Sequence, residues 1–211
     1  MNTTKVNDFN EIITGRRSIR YYDPTVKISK EEMKEILQEA SLAPSSVNLQ
    51  PWRFLVIDSP DGKAKLAPIA RFNQSQVESS AAVIAVFADM KSDNYLEEIY
   101  SKAVEKGYMP QDVKEQQTAA ISGYFKAMTY DQLKEMNLID GGLVSMQLML
   151  VARAHGYDTN PIGGYEKDKI ADVFGMDTER YYPVMLISIG KAANSGYSSV
   201  RLDVDQIAEW A

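Results

Sequence analysis

A three-layer domain of the α+β or α/β class, with helices on both faces of one sheet, is the fold this sequence predicts. Residues 54–57, 81–88 and 184–189 are short apolar runs. Strands buried on both faces read this way, because neither face needs to be polar. Helical stripes lie between them. Tyr95, Leu96, Ile99, Tyr100, Ala103 and Val104 form one, and Ile121, Tyr124, Phe125 and Met128 another. The stretch from about residue 131 to 155 is apolar nearly all round, which marks a helix buried in a core or against a partner. Strands and helices alternating in this manner stack in layers.

The elements follow in order. Residues 7–14 predict a helix with Phe9, Ile12 and Ile13 on one face and Gly15 as its stop. A second helix is predicted over 30–43. Ser29 and Glu32 have capping-box spacing, Met33, Ile36, Leu37 and Ala40 recur at helical intervals, and Pro44 ends it. In the long helix, Gly141 and Gly142 would each cost roughly 1 kcal/mol. They are tolerable where another helix approaches closely or where the helix begins. Gly156 is the predicted stop, after Arg153 and His155, whose charges suit a helix C-terminus. Residues 160–165, a ligand-facing strip or a tight turn, precede a helix over 166–174. The tail carries Leu202, Val204, Ile207 and Trp210, too apolar for a free segment, and is expected to lie across the domain or a partner subunit.

Composition narrows the chemistry. The 211 residues suit one ordinary domain, or at most two small ones. Lys and Arg number 23 and Asp and Glu 29, for a formal net charge of −6. Such a chain is a poor electrostatic partner for nucleic acid or an anionic membrane. There is no Cys and one His, so thiolate nucleophiles, iron–sulfur clusters and Cys- or His-rich metal sites are excluded. A Ser–His–Asp triad would have to use His155, which reads as a helix-terminal residue. No stretch resembles a signal peptide or a membrane span. The expectation is a soluble cytoplasmic protein whose hard chemistry, if it is an enzyme, comes from a cofactor.

Three segments could carry that chemistry. Arg16, Arg17, Ser18 and Arg20 follow a helix stop, and planar guanidinium forks suit a phosphate monoester; a solvated basic turn is the plainer alternative. Pro44, Ser45, Ser46, Asn48 and Gln50 bring hydroxyls and amides to a loop before a buried strand, fit for the edge of a heterocycle. The alternative is an ordinary turn with Trp52 packed into the core. Pro161, Ile162, Gly163 and Gly164 form a glycine-bearing strip that could approach a flat ligand closely, or simply turn. The G-x-G-x-x-G dinucleotide spacing is absent.

RRSIRYYDP from residue 16, APSSVNLQPWRFLVI from residue 43 and NPIGGY from residue 160 stand in one order along the chain. In that order and spacing, over essentially its whole length, the chain resembles the nitroreductase family of flavin enzymes. The resemblance implies a single domain over residues 1–211, folded as a three-layer α+β sandwich with a central sheet. It implies a homodimer with FMN sites at the subunit interface. Residues 191–211 would form an arm that crosses to the partner and adds a strand to its sheet.

The resemblance also implies residue roles. Arg16 and Arg20 would meet the FMN phosphate and ring edge, with Arg17 and Ser18 between them and Arg201 again at the phosphate. Pro44, Ser45, Ser46, Asn48 and Gln50 would come from the other subunit. Asn73 would meet the pyrimidine edge, with Gln76 where the family often has Lys. Pro161, Ile162, Gly163 and Gly164 would lie beside N5, with Gly163 where many members have Glu. Ser199 stands where many members carry a basic residue. These departures bear on redox tuning and phosphate binding. The implied activity is hydride transfer from NAD(P)H through flavin N5 to a nitroaromatic, quinone or similar conjugated acceptor, by a ping-pong scheme and without a catalytic side chain or metal. The alternative is a non-catalytic FMN carrier or redox-sensing dimer. Neither nucleic acid nor membrane is an expected partner.

Overall fold

A computed structural model describes Lys5 and residues 7–211. Four strands, β1 (Trp52–Ile57), β2 (Ala82–Asp89), β3 (Asp158–Ile162) and β4 (Tyr181–Gly190), form one sheet in the order β1-β2-β4-β3. Every pairing in it is antiparallel, which makes the class α+β. The helices are α1 (Phe9–Gly15), α2 (Lys30–Ala40), α3 (Pro60–Leu66), α4 (Gln74–Ser79), α5 (Leu96–Glu105), α6 (Gln111–Ala127), α7 (Tyr130–Ala154) and α8 (Lys167–Val173). No helix among the described residues is long and apolar enough to cross a membrane.

Successive side chains of a strand point to opposite faces, and on β2 both faces are dry. Ile84 and Val86 pack with Ile36 of α2 and Val144 and Leu148 of α7. Val83, Ala85 and Phe87 pack with Leu66 of α3, Val77 of α4 and Ile170 of α8. These are the three layers. Helices α5 and α6 make a smaller cluster, in which Leu96, Tyr100 and Ile121 enclose Leu49.

Several boundaries depart from the sequence reading. Asp8 caps α1 by accepting from the Glu11 N–H at 2.9 Å, and Gly15 lies inside the last turn rather than ending it. Only Ile12 of the predicted apolar face is buried; Phe9 and Ile13 are exposed. Helix α2 stops at Ala40, before the predicted residue 43, where the Ser41 hydroxyl donates to the Leu37 carbonyl. Its capping box is half made. Ser29 Oγ accepts from the Glu32 N–H, but the Glu32 carboxylate accepts from Tyr157 Oη at 2.8 Å instead of turning back. Strand β3 takes in residues 160–162, for which a tight turn is the plainer of the two sequence readings. Its Pro161 cannot donate to a ladder, which an edge strand tolerates.

Helix α7 begins on a complete Thr129–Gln132 capping box and ends at Gly156, at φ +81°. It is not buried all round, since Ile139, Leu143 and Met146 are exposed. The partner of Gly141 is a strand, not another helix. At a register shift in the β2–β4 ladder, Val86 pairs with Met185 and Phe87 with Pro183. This leaves Val184 as the extra residue of a bulge. A Cβ at position 141 would stand 2.9 Å from both Val184 methyls. Gly141→Ala is therefore expected to lose about 1–2 kcal/mol of stability, overpacking outweighing the gain in helix propensity. A urea melt showing equal or greater stability would contradict the close approach. Gly142, by contrast, meets nothing within 4 Å.

Candidate functional site

The basic segment is tied down on both sides. Ser18 makes a parallel bridge to Thr159, and the Ile19 N–H donates to the Thr159 carbonyl at 3.1 Å. On the other side Tyr22 bridges Ala192, and the Asp23 N–H donates to the Lys191 carbonyl at 2.8 Å. Ile19 and Tyr22 are buried beneath the segment. Burial pushes the Tyr22 phenol up, and its hydroxyl lies 2.8 Å from Ser188 Oγ. Residues 16–22 thus run between the β3 edge and the start of the C-terminal tail.

This arrangement opens a cavity of about 700 Å³ that gathers four distant parts of the chain. Arg16, Arg17, Ser18 and Arg20 form one wall, Asn73 and Gln76 another, Pro161, Ile162 and Gly163 a third, and Arg201 closes the rim. The volume is in the range of cofactor and small-molecule sites, roughly 300–1,000 Å³. No carboxylate lines it. Among the described residues none of the four arginines is in an ion pair. In a chain of net charge −6 this is a strongly cationic pocket.

The four guanidiniums are not equivalent. Arg17 Nη1 donates to the Thr14 carbonyl at 2.6 Å and the Arg16 carbonyl at 2.9 Å, so part of its charge caps the end of α1. Arg201 Nη1 is held by Ser199 Oγ at 2.7 Å. Arg16 and Arg20 carry no comparable restraint from a side chain among the described residues.

The amide wall is organised around Asn73. Its Nδ2 donates to the Gly164 carbonyl at 3.0 Å, and its Oδ1 accepts from Gln76 Nε2 at 3.2 Å. An amide has two hydrogens on nitrogen and two lone pairs on oxygen, so one of each stays free. Gly164 therefore reaches the site through its carbonyl, outside the cavity lining. Neither Gly163 nor Gly164 adopts positive φ, and a Cβ at Gly163 would meet nothing within 4 Å. The strip is extended backbone with room for a side chain at 163.

The loop with Pro44, Ser45, Ser46, Asn48 and Gln50 is not brought to this cavity within one chain. Asn48 and Gln50 line a second cavity of about 410 Å³, against Arg53, Tyr95 and α5. The loop is strained, with Val47, Asn48 and Gln50 at φ +44°, +56° and +48°. Non-glycine residues rarely adopt that region, β-branched ones least of all. Ser45 Oγ accepts from the Gln50 N–H at 3.0 Å, Ser46 bonds to Asp140, and Trp52 is buried, as the plainer reading of this segment has it.

Asn160, the first residue of the NPIGGY segment, also lines the first cavity, together with Tyr21, Phe72, Ser75, Tyr197 and Ser198, which sequence reasoning did not place at the site. Phe72 precedes Asn73 and is 94% exposed; an aromatic beside a site amide was the signal available. Sequence reasoning also missed Asp140, a carboxylate within an apolar helical run.

A family model described as "Nitroreductase family" matches residues 13–191. A Bacillus subtilis (strain 168) protein with the provisional name NAD(P)H nitroreductase YdgI is 71% identical over 98% of this chain and 99% of its own. A Lactiplantibacillus plantarum protein named CLA biosynthesis enone reductase is 38% identical over 93% of this chain and 91% of its own. A crystal structure from Exiguobacterium sibiricum, provisionally described as a nitroreductase in complex with FMN, superposes with a TM-score of 0.97 at 66% identity. It covers 99% of this chain and 100% of that one.

Proposed function

This chain belongs to the nitroreductase family, and from that membership we propose that it is an FMN-dependent oxidoreductase carrying a hydride from NAD(P)H to a nitroaromatic, quinone or similar conjugated acceptor. The observation that carries the reading is the carboxylate-free cavity where Arg16, Arg17, Arg20 and Arg201 converge with Asn73, Gln76 and the 161–163 strip. FMN is the kind of group this donor set fits. A phosphate monoester bears about −1.5 to −2 charge at neutral pH, which guanidinium forks neutralise through charge-assisted hydrogen bonds. The free N–H and lone pair of Asn73 suit the alternating edge of a pyrimidine ring. Backbone of the 161–163 strip suits a flat face.

When bound, FMN would supply the redox chemistry, hydride transfer from a nicotinamide to the acceptor, and one site shared by donor and acceptor would make the kinetics ping-pong. The chain's own residues bind and orient. Arg16 and Arg201 hold the phosphate, and Arg20 stands ready to balance negative charge on a reduced ring. Ser18 adds a hydroxyl. Gly163 leaves space over the strip, and Gln76 puts a neutral amide where a cation would tighten the reduced state. The enone in the Lactiplantibacillus relative's name belongs to the same electronic class of acceptor as a quinone.

The working unit in this reading is a homodimer. Exposed Phe9 and Ile13 on α1, Ile139, Leu143 and Met146 on α7, and Leu202, Ile207 and Trp210 in the tail support it, because apolar surface on this scale calls for a partner. The tail of one protomer then lies on the other, and residues 44–50 complete the partner's site.

The test is a visible spectrum of the purified protein before and after anaerobic NADH or NADPH. An oxidised-flavin band that bleaches with either nucleotide is expected. A band that neither bleaches would replace this reading with the carrier or sensor. No band, even after incubation with FMN, would overturn the site.

A further inference from the structure

Asp140 lies in the middle of α7, 2% exposed, and among the described residues no cation pairs with it. Burial pushes its carboxyl above the ordinary range, and the Ser46 N–H and hydroxyl draw it part of the way back. A buried carboxylate without a cation costs stability, so a residue of this kind invites a functional reading. Its partners are both on Ser46. The Ser46 N–H stands 3.1 Å from each carboxylate oxygen, and Ser46 Oγ donates to Oδ1 at 3.2 Å.

Ser46 immediately precedes the left-handed residues. Val47, Asn48 and Gln50 would relax toward ordinary backbone if the loop were not held. Further contacts restrain its later part. Tyr100 Oη donates to the Val47 carbonyl at 3.3 Å, Leu49 is buried against α5 and α6, and the Gln50 N–H returns to Ser45 Oγ. Asp140 is the one carboxylate among these anchors, and an ionised carboxylate only accepts. The Ser46 hydroxyl must therefore spend its hydrogen inward, leaving only lone pairs to face outward. An amide at 140 could donate instead and reverse that polarity.

We infer that Asp140 is a positioning residue, holding the 45–50 loop with Val47, Asn48 and Gln50 in the left-handed region and presenting the Ser46 hydroxyl as an acceptor to whatever that loop meets. On the reading above, that is the partner subunit's flavin site, and this half of the inference rests on it. The chemistry selected is a donor, an N–H or O–H of the bound group, rather than a carbonyl.

The experiment compares wild type, Asp140→Asn, Ser46→Ala and the double variant as dimeric holoprotein, with far-UV circular dichroism confirming the fold. Asp140→Asn keeps the shape and one acceptor, which avoids the risk that Asp140→Ala does not fold. FMN affinity should weaken about tenfold in each single variant, the upper size of one lost hydrogen bond between neutral groups. The double variant should be no worse than either single one, because the two residues act as a unit. Unchanged affinity in Asp140→Asn, or effects that multiply, would overturn the polarity claim. Amide hydrogen exchange over residues 46–50, measured without added flavin, should quicken in Asp140→Asn, and unchanged exchange would overturn the positioning claim. If wild type binds no FMN, the flavin reading is what has failed. Inorganic phosphate and riboflavin titrations then show which half of the site was misread, and the exchange measurement still decides the role of Asp140 in the loop.

Discussion

Replacing Asp89 with Ala should cost the fold about 3–5 kcal/mol, nearer the lower figure. Asp89 ends β2 and is 0% exposed. Arg180 grips it bidentately, Nε to Oδ1 and Nη2 to Oδ2, both at 2.8 Å. Arg53 adds a contact from β1 at 3.1 Å, and the Lys91 N–H donates to Oδ1 at 3.0 Å. One carboxylate thus ties together β1, the turn after β2 and the entry to β4. Removing it leaves two guanidiniums facing each other. Because both are about a quarter exposed, at 28% and 24%, water offsets part of that penalty.

The pH dependence has a definite sign. Burial pushes the Asp89 carboxyl up, but Arg180, the Lys91 N–H and Arg53 outweigh it and hold the carboxyl below its ordinary range. A depressed carboxyl stabilises the folded state fully above the unfolded titration, near pH 4, and loses that contribution as pH falls through the folded value. Urea unfolding at neutral pH should therefore separate wild type from Asp89→Ala widely, and the gap should narrow in acid. A gap below about 1 kcal/mol at neutral pH would mean that the network is screened like a surface pair.

Arg16→Ala should weaken FMN binding by about 10–150-fold, corresponding to the loss of about 1.5–3 kcal/mol from one charged hydrogen-bonding group. Arg17→Ala should do less to the flavin and more to the first helix, because Arg17 Nη1 is committed to the Thr14 and Arg16 carbonyls. Fluorescence titration of apoprotein with FMN checks both. Equal affinity in wild type and Arg16→Ala would remove Arg16 from the phosphate clamp. The reverse ranking of the two arginines would mean that the cap yields to the ligand.

Much of the fold follows from local rules that a chain carries in its order of residues. The Ser29 cap, the period of Met33, Ile36 and Ala40, and the two-sided apolar run of β2 depend on neighbours a few positions apart, so they are readable without a structure. The same holds for Gly156, whose missing Cβ permits the positive φ that ends α7. Composition also shaped the chemistry, since a chain with no Cys and one His must look to a cofactor for redox work. The order of the three motifs pointed to the family.

Other features belong to tertiary structure alone. Strand β3, with Asp, Asn and Pro, has no strand-like pattern and exists because β4 offers it an edge. The exposed face of α7 and the buried one carry similar residues, so hydrophobicity could not tell them apart. Gly141 needed the Val184 bulge to explain it. The arginines at 16 and 20 and the one at 201 are distant in sequence, and nothing local says that they share a cavity free of carboxylates. Asp89 and Asp140 are the clearest contrast. As letters they are two acids beside apolar residues, one closing a run and one inside another. In the fold one meets two guanidiniums and the other only a serine, because the charge that compensates a buried group arrives through space rather than along the chain.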